Sequence, residues 1–176
     1  NRTITLNGTG TTLTLGGVMT NASNAVQTTT VNGAGNTLVL GGYALSNNAT
    51  SRVNILTGTG NVTITGPVTN GGTATASGLT KQGIGTLTLN GANTYKGPTT
   101  VSGGTLALGQ ATLDRDATVT VASGAVLRLD FAGENQVVNL VINGVTQGVG
   151  VYNSTTAAPY ITGTGSLRVI TLDADG

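Results

Sequence analysis

Few residues in this chain are of types that could do chemistry. Its six acids, Asp114, Asp116, Asp130, Glu134, Asp173 and Asp175, all lie beyond residue 113. Carbohydrate hydrolysis uses a pair of carboxylates, one protonated and one charged, across the scissile bond. Asp114 and Asp116 are two apart, so a strand would present both on one side. Arg115 stands between them, however, and the trio reads as a solvated corner; Asp130 and Glu134 read the same way. "LDADG" at 172–176 has the Asp-x-Asp-Gly opening of a calcium loop without its remaining ligands, so calcium at Asp173 and Asp175 is left open. The chain has no histidine and no cysteine. That excludes a Ser-His-Asp triad, a cysteine nucleophile and a zinc site of ordinary type. No catalytic, cofactor-binding or metal-binding residue is assigned, and no enzymatic activity is expected.

The other candidates have plain structural readings. Tyr43, Tyr95, Tyr152 and Tyr160 could form a platform for sugars, but they fall at unequal spacing and are expected to pack at corners. Asn-x-Ser/Thr triplets begin at Asn1, Asn7, Asn21, Asn48, Asn61 and Asn153, and in a chain this rich in Asn and Thr most are accidental. Charged residues make up 7%, against about 25% in an average domain. The surface must therefore be built from hydroxyls and amides. Residues 1–113 carry +4, from Arg2, Arg52, Lys81 and Lys96, and residues 114–176 carry 3 − 6 = −3. Neither half has a basic patch for nucleic acid. No run of 18 apolar residues would take a helix across a membrane. The first ten residues have no charged-then-apolar pattern, so any targeting segment is expected to have been removed or to lie elsewhere.

The elements that position these side chains follow from the glycines. Gly8, Gly33, Gly58 and Gly83 recur at a constant step of 25. So do Gly10, Gly35, Gly60 and Gly85, and again Gly16, Gly41, Gly66 and Gly91. Three columns at one spacing are a repeat. Beyond residue 100 the step is shorter: Val101, Val121, Val141 and Ile161 stand 20 apart. The units carry short alternating runs, among them Leu13-Thr-Leu15, Leu38-Val-Leu40, Val62-Thr-Ile64, Leu87-Thr-Leu89, Leu106-Ala-Leu108 and Leu127-Arg-Leu129. Alternation punctuated by Gly, Asn and Pro is the pattern of strands.

A unit of either length suffices for three short strands and three turns, and each unit that closes a loop lets the next stack on it. The expected fold is all-β: a right-handed parallel β-helix (β-solenoid) of about seven to eight coils in one domain over 1–176. Coils of 25-residue period fill 1–91 and coils of about 20-residue period fill 92–176. The twelve alternating Leu, Val and Ile residues above should line one interior. The apolar pair lies three and five positions after its glycine in the first two units, and two and four after in the next two. A one-residue slip would turn side chains to the wrong face, so a change of corner is expected near "TGTGN" at 57–61.

One stretch resembles a known motif. Leu79-Thr80-Lys81, Gly83-Ile84-Gly85-Thr86-Leu87-Thr88-Leu89, Asn93-Thr94-Tyr95-Lys96-Gly97, Thr99-Thr100-Val101 and Gly104-Thr105-Leu106 follow the order of the autotransporter-associated β-strand repeat, also called the passenger-associated transport repeat. Lys96 and Pro98 depart mildly from its common Thr and Gly. The resemblance implies a bacterial surface or secreted passenger with a β-helical stalk, in which the repeat serves transport and folding outside the cell. The membrane barrel such proteins often carry, with strands of ~10 residues and aromatic girdles, is not found in a chain with five aromatics.

The sequence thus points to a non-enzymatic extracellular stalk or fibre module without membrane insertion. Two alternatives stand beside it: a self-assembling head-to-tail filament subunit, and a glycan-binding or glycan-cleaving β-helix. The expected partners are copies of the chain, or flanking repeats of a longer one, joined end to end.

Overall fold

The computed structural model describes residues 1–23 and 25–171. Among them every regular element is a strand. In chain order these are β1 (Arg2–Thr5), β2 (Thr12–Thr20), β3 (Thr28–Asn32), β4 (Thr37–Ala44), β5 (Val53–Thr57), β6 (Asn61–Ile64) and the short β7 (Val68–Thr69). Next come β8 (Gly78–Lys81), β9 (Thr86–Leu89), β10 (Thr99–Val101), β11 (Thr105–Leu108), β12 (Thr118–Val121) and β13 (Val126–Leu129). The last six are β14 (Glu134–Val137), β15 (Asn139–Ile142), β16 (Val145–Thr146), β17 (Gly150–Tyr152), β18 (Ile161–Gly163) and β19 (Ser166–Val169).

The strands sort alternately into two eight-stranded sheets. One has the order β1-β3-β5-β8-β10-β12-β15-β16, the other β18-β13-β11-β9-β6-β4-β2 with β7 beside β4. All neighbours along them are parallel except β15 and β16. This stacking of successive units is consistent with a β-solenoid. A third, smaller sheet has the order β14-β19-β17. Regular pairing is thus largely on two faces rather than three: the third leg of a unit is strand in the early units, where Val18–Thr20 pairs with Gly42–Ala44 and β4 with β7, and again near the C-terminal end, where β14 pairs in parallel with β19.

Register turns the alternation into columns. Leu13, Leu38, Val62, Leu87, Leu106, Leu127 and Ile161 are partnered in succession. Leu15, Leu40, Ile64, Leu89, Leu108 and Leu129 run beside them. From Leu38 and Leu40 to Leu127 and Leu129, every member of the two columns is at most 4% exposed. Each such burial is worth roughly 1.5–3 kcal/mol. Leu13 and Leu15 correct the expectation, being 39% and 44% exposed. They occupy the right columns, but they stand in the first unit, where no rung covers them.

The glycine columns have steric causes. A Cβ on Gly58 (φ +119°) would lie 2.0 Å from the Val31 carbonyl oxygen. On Gly41, Gly66 or Gly91 it would lie 2.1 Å from the carbonyl oxygen of the glycine one unit earlier. The corner change falls where the sequence places it. Thr30 partners Thr57, a step of 27, whereas Thr37 partners Asn61, a step of 24. The corner of the third unit is shorter by that difference of three, and the leucine columns stay in phase.

The change of period has a second location. Residues 65–77, thirteen in all, separate β6 from β8, and nine, 90–98, separate β9 from β10. The longer return legs carry loops that stack: a Cβ on Gly71 would lie 2.0 Å from the Ser46 carbonyl oxygen. The later 20-residue spacing is only partly a stacking period. Val101 partners Val121, but Val121 partners Ile142, and Ile161 partners Leu127 in the other sheet, a step of 34. The intervening chain is spent on a reversal. Asn143 (φ 50°) and Gly144 (φ 79°) turn it back into β16. Both central residues have φ above zero, the conformation a two-residue hairpin favours. β17 then runs antiparallel to β19.

Candidate functional site

The acids do not converge. The Asp114 carboxylate accepts the Asp116 backbone N–H at 3.0 Å, closing a local turn. Asp130 pairs with Arg128 at 2.7 Å and Glu134 with Arg168 at 2.5 Å, both on the surface. Exposed pairs of this kind contribute roughly 0–1 kcal/mol. Among the described residues no group of three or more acids, histidines or cysteines could hold a metal. Asp173 and Asp175, and with them the calcium question, lie outside the described residues.

The buried lysine is a feature that sequence reasoning passed over. Lys81 stands in an inward column, partnered by Leu56 on one side and Val101 on the other. It is 4% exposed. Its ammonium reaches the corner and donates to the carbonyl oxygens of Gln82 (2.6 Å), Gly83 (2.8 Å) and Gly103 (3.1 Å). Burial pushes its pKa down from 10.5 to about 8. The signal was present in the spacing, since Lys81 stands 25 after Leu56 and 20 before Val101.

Other buried polar groups stand in for backbone. Asn135 accepts the Leu113 N–H at 2.8 Å and returns its own amide to the Leu113 carbonyl at 3.0 Å, as a neighbouring strand would. Asn54 accepts from Asn21 at 2.7 Å and from the Tyr43 hydroxyl at 3.4 Å, and donates to the Leu45 carbonyl at 2.7 Å. Arg52 organises the loop after β4, donating to the Ser46 hydroxyl, to the Thr50 carbonyl at 3.2 Å and to the Asn48 side chain at 3.0 Å.

The tyrosines do not make a shared platform. Tyr43 and Tyr95 are fully packed in the core, while Tyr152 and Tyr160 lie half-buried against it. Tyr95 shares a hydrogen bond of 2.8 Å with the Thr99 hydroxyl, and burial pushes its pKa up to about 12. Burial also raises Tyr43, opposed by the Thr29 hydroxyl and the Arg2 charge.

One concavity is an end rather than a pocket. Arg2, Ile4, Leu15, Gly17, Val18, Met19 and Leu40 line a hollow of about 340 Å³ at the first unit. Val18 is 63% exposed there. It is the cross-section of the core laid open, with β1 and β2 as the outermost strands of their sheets.

These features define an all-β repeat protein whose buried polar groups serve the stack itself. Residues 79–108 match the passenger-associated-transport-repeat family, the repeat that the sequence resembles. The match runs from β8 through β11, and those strands pair in register with β5 before them and with β12 and β13 after. Comparison with curated proteins and with solved structures gives no match. Among the described residues no helix is long and apolar enough to cross a membrane.

Proposed function

We propose that the chain is a non-catalytic structural module of a secreted or cell-surface bacterial passenger, a right-handed parallel β-helix of about seven to eight coils that acts as a stiff stalk. The observation that carries this reading is the matched repeat at 79–108 lying inside two uninterrupted parallel ladders. Such a stack resists extension and proteolysis because the strands inside it are held by the rungs above and below, and the leucine columns close the interior. The right hand follows from the crossover preference of parallel strands. The passenger repeat family supports a site of action outside the cell.

The test has two arms. Antibody against the chain should label intact producing cells, and thermolysin should leave the purified core uncut under conditions that digest an unfolded protein. Labelling only after lysis would sink the surface assignment, and rapid core cleavage the stalk. Incubation with pectin, alginate, chitin and peptidoglycan should give no turnover. Turnover abolished by Asp114→Asn or Glu134→Gln would replace this reading with the glycan-cleaving one.

A further inference from the structure

The two ends of the stack are built differently, and one glycine says what one of them is for. Toward the C-terminal end two of the three sheets are turned back, while the second ends in parallel β18. The first sheet finishes in antiparallel β16, and the small sheet carries antiparallel β17 on its outer edge. The first unit has no such closure: among the described residues β1 pairs only with β3 and β2 only with β4. Leu13, Leu15 and Val18 are exposed beside the open hollow.

Gly16 sharpens the point. Three members of the Gly16 column, Gly41, Gly66 and Gly91, lack a side chain because the preceding rung's carbonyl lies 2.1 Å from where a Cβ would be. Gly16 has no such neighbour: nothing lies within 4 Å of its Cβ position, and nothing within 4 Å of that of Gly17. Nor is either held in the left-handed region of φ, which would favour glycine by itself. Among the described residues nothing requires glycine at these positions. By the geometry of its column Gly16 is kept bare for a carbonyl one rung further out.

We infer that the face formed by β1 and β2 is an acceptor for one more parallel rung, supplied by polypeptide carrying this chain's own 25-residue pattern with a glycine above Gly16. The contact would continue the rung-on-rung interface that already joins β2 to β4, with the incoming apolar pair covering Leu13 and Leu15. A second copy's C-terminal end fits only in part: its edge in the second sheet is parallel β18, but its edge in the first sheet is the reversed two-residue β16. This inference rests on the edge geometry and not on where the protein works, so its failure would leave the stalk reading standing.

The test extends the full chain at its N-terminus with a duplicate of residues 26–50. That sets the copy of Gly41 one 25-residue step ahead of Gly16, the spacing of its column. Hydrogen exchange of the outward-facing β2 amides should slow by on the order of tenfold or more as the edge becomes internal, and dye binding to exposed apolar surface should fall. Gly16→Val should leave the melting temperature of the unextended chain unchanged yet abolish the protection in the extended one. A duplicate with Asn in place of both leucines of its Leu-Val-Leu run should not protect. Unchanged exchange on extension, or protection that survives Gly16→Val, would overturn the inference. So would concentration-dependent protection of β2 in the unextended chain with a dimer in sedimentation, which would give the face to a second copy.

Discussion

Lys81 gives this fold a stability that rises between about pH 8 and pH 10. In the unfolded chain it titrates near 10.5, and in the fold burial lowers that to about 8. Between those values the unfolded state binds a proton that the folded state does not. Stability must therefore rise as pH rises through this window, and the cost of the buried charge is fully present below pH 8. A drop from 10.5 to about 8 corresponds to about 3 kcal/mol at 1.36 kcal/mol per pH unit. That is a ceiling, because hydrogen bonds from the ammonium to three carbonyls favour the charged form. Tyr95 acts in the opposite sense. Its folded pKa is about 12 against 10.0, so above pH 10 the unfolded state loses its proton first and stability falls. Urea unfolding at unit steps from pH 7 to 11 should show a maximum near pH 10. Lys81→Met should remove the rise between pH 8 and 10 and keep the fall above it. A flat native profile across that window, or the same rise in Lys81→Met, would refute the assignment.

Three further outcomes follow from the same packing. Leu87→Ala, in the middle of a covered column, should cost about 2–5 kcal/mol; Leu13→Ala, in the same column but 39% exposed, should cost a small fraction of that by the same denaturation assay. Gly66→Ala would set a Cβ 2.1 Å from the Gly41 carbonyl oxygen and should lose about 1–3 kcal/mol, whereas Gly16→Ala should be neutral, which paired thermal melts would check. Asn135→Leu leaves the buried N–H and carbonyl of Leu113 without the partners they have at 2.8 and 3.0 Å and should cost about 1–3 kcal/mol, visible as faster amide exchange at Leu113.

What could be read from residue order alone is whatever depends on a repeat and its immediate neighbours. The alternation of Leu38-Val-Leu40 and Leu87-Thr-Leu89 assigns faces, because a strand has a period of two. The glycine spacing locates the stacking contacts, and the phase slip between the second and third units locates the short corner at 57–61. Three features escaped for physical reasons. Leu13 and Leu15 carry the same pattern as Leu38 and Leu40, but burial is set by the rung above, and an end has none. Lys81 and Asn54 were passed over by residue type, since a charge or an amide reads as outward until its register with Leu56 and Leu79 puts it inside. Val141 and Ile161 kept a 20-residue spacing that looked like one more turn of the stack. The Asn143-Gly144 pair between them is a hairpin signal in its own right, and it competes with the period. A two-residue reversal needs only those two φ angles, whereas a parallel crossover needs a whole unit to return, so at that point local turn chemistry prevails over the repeat. Repeat spacing is therefore dependable inside a stack and fails at its ends, where the neighbour that gives each residue its role is missing or reversed.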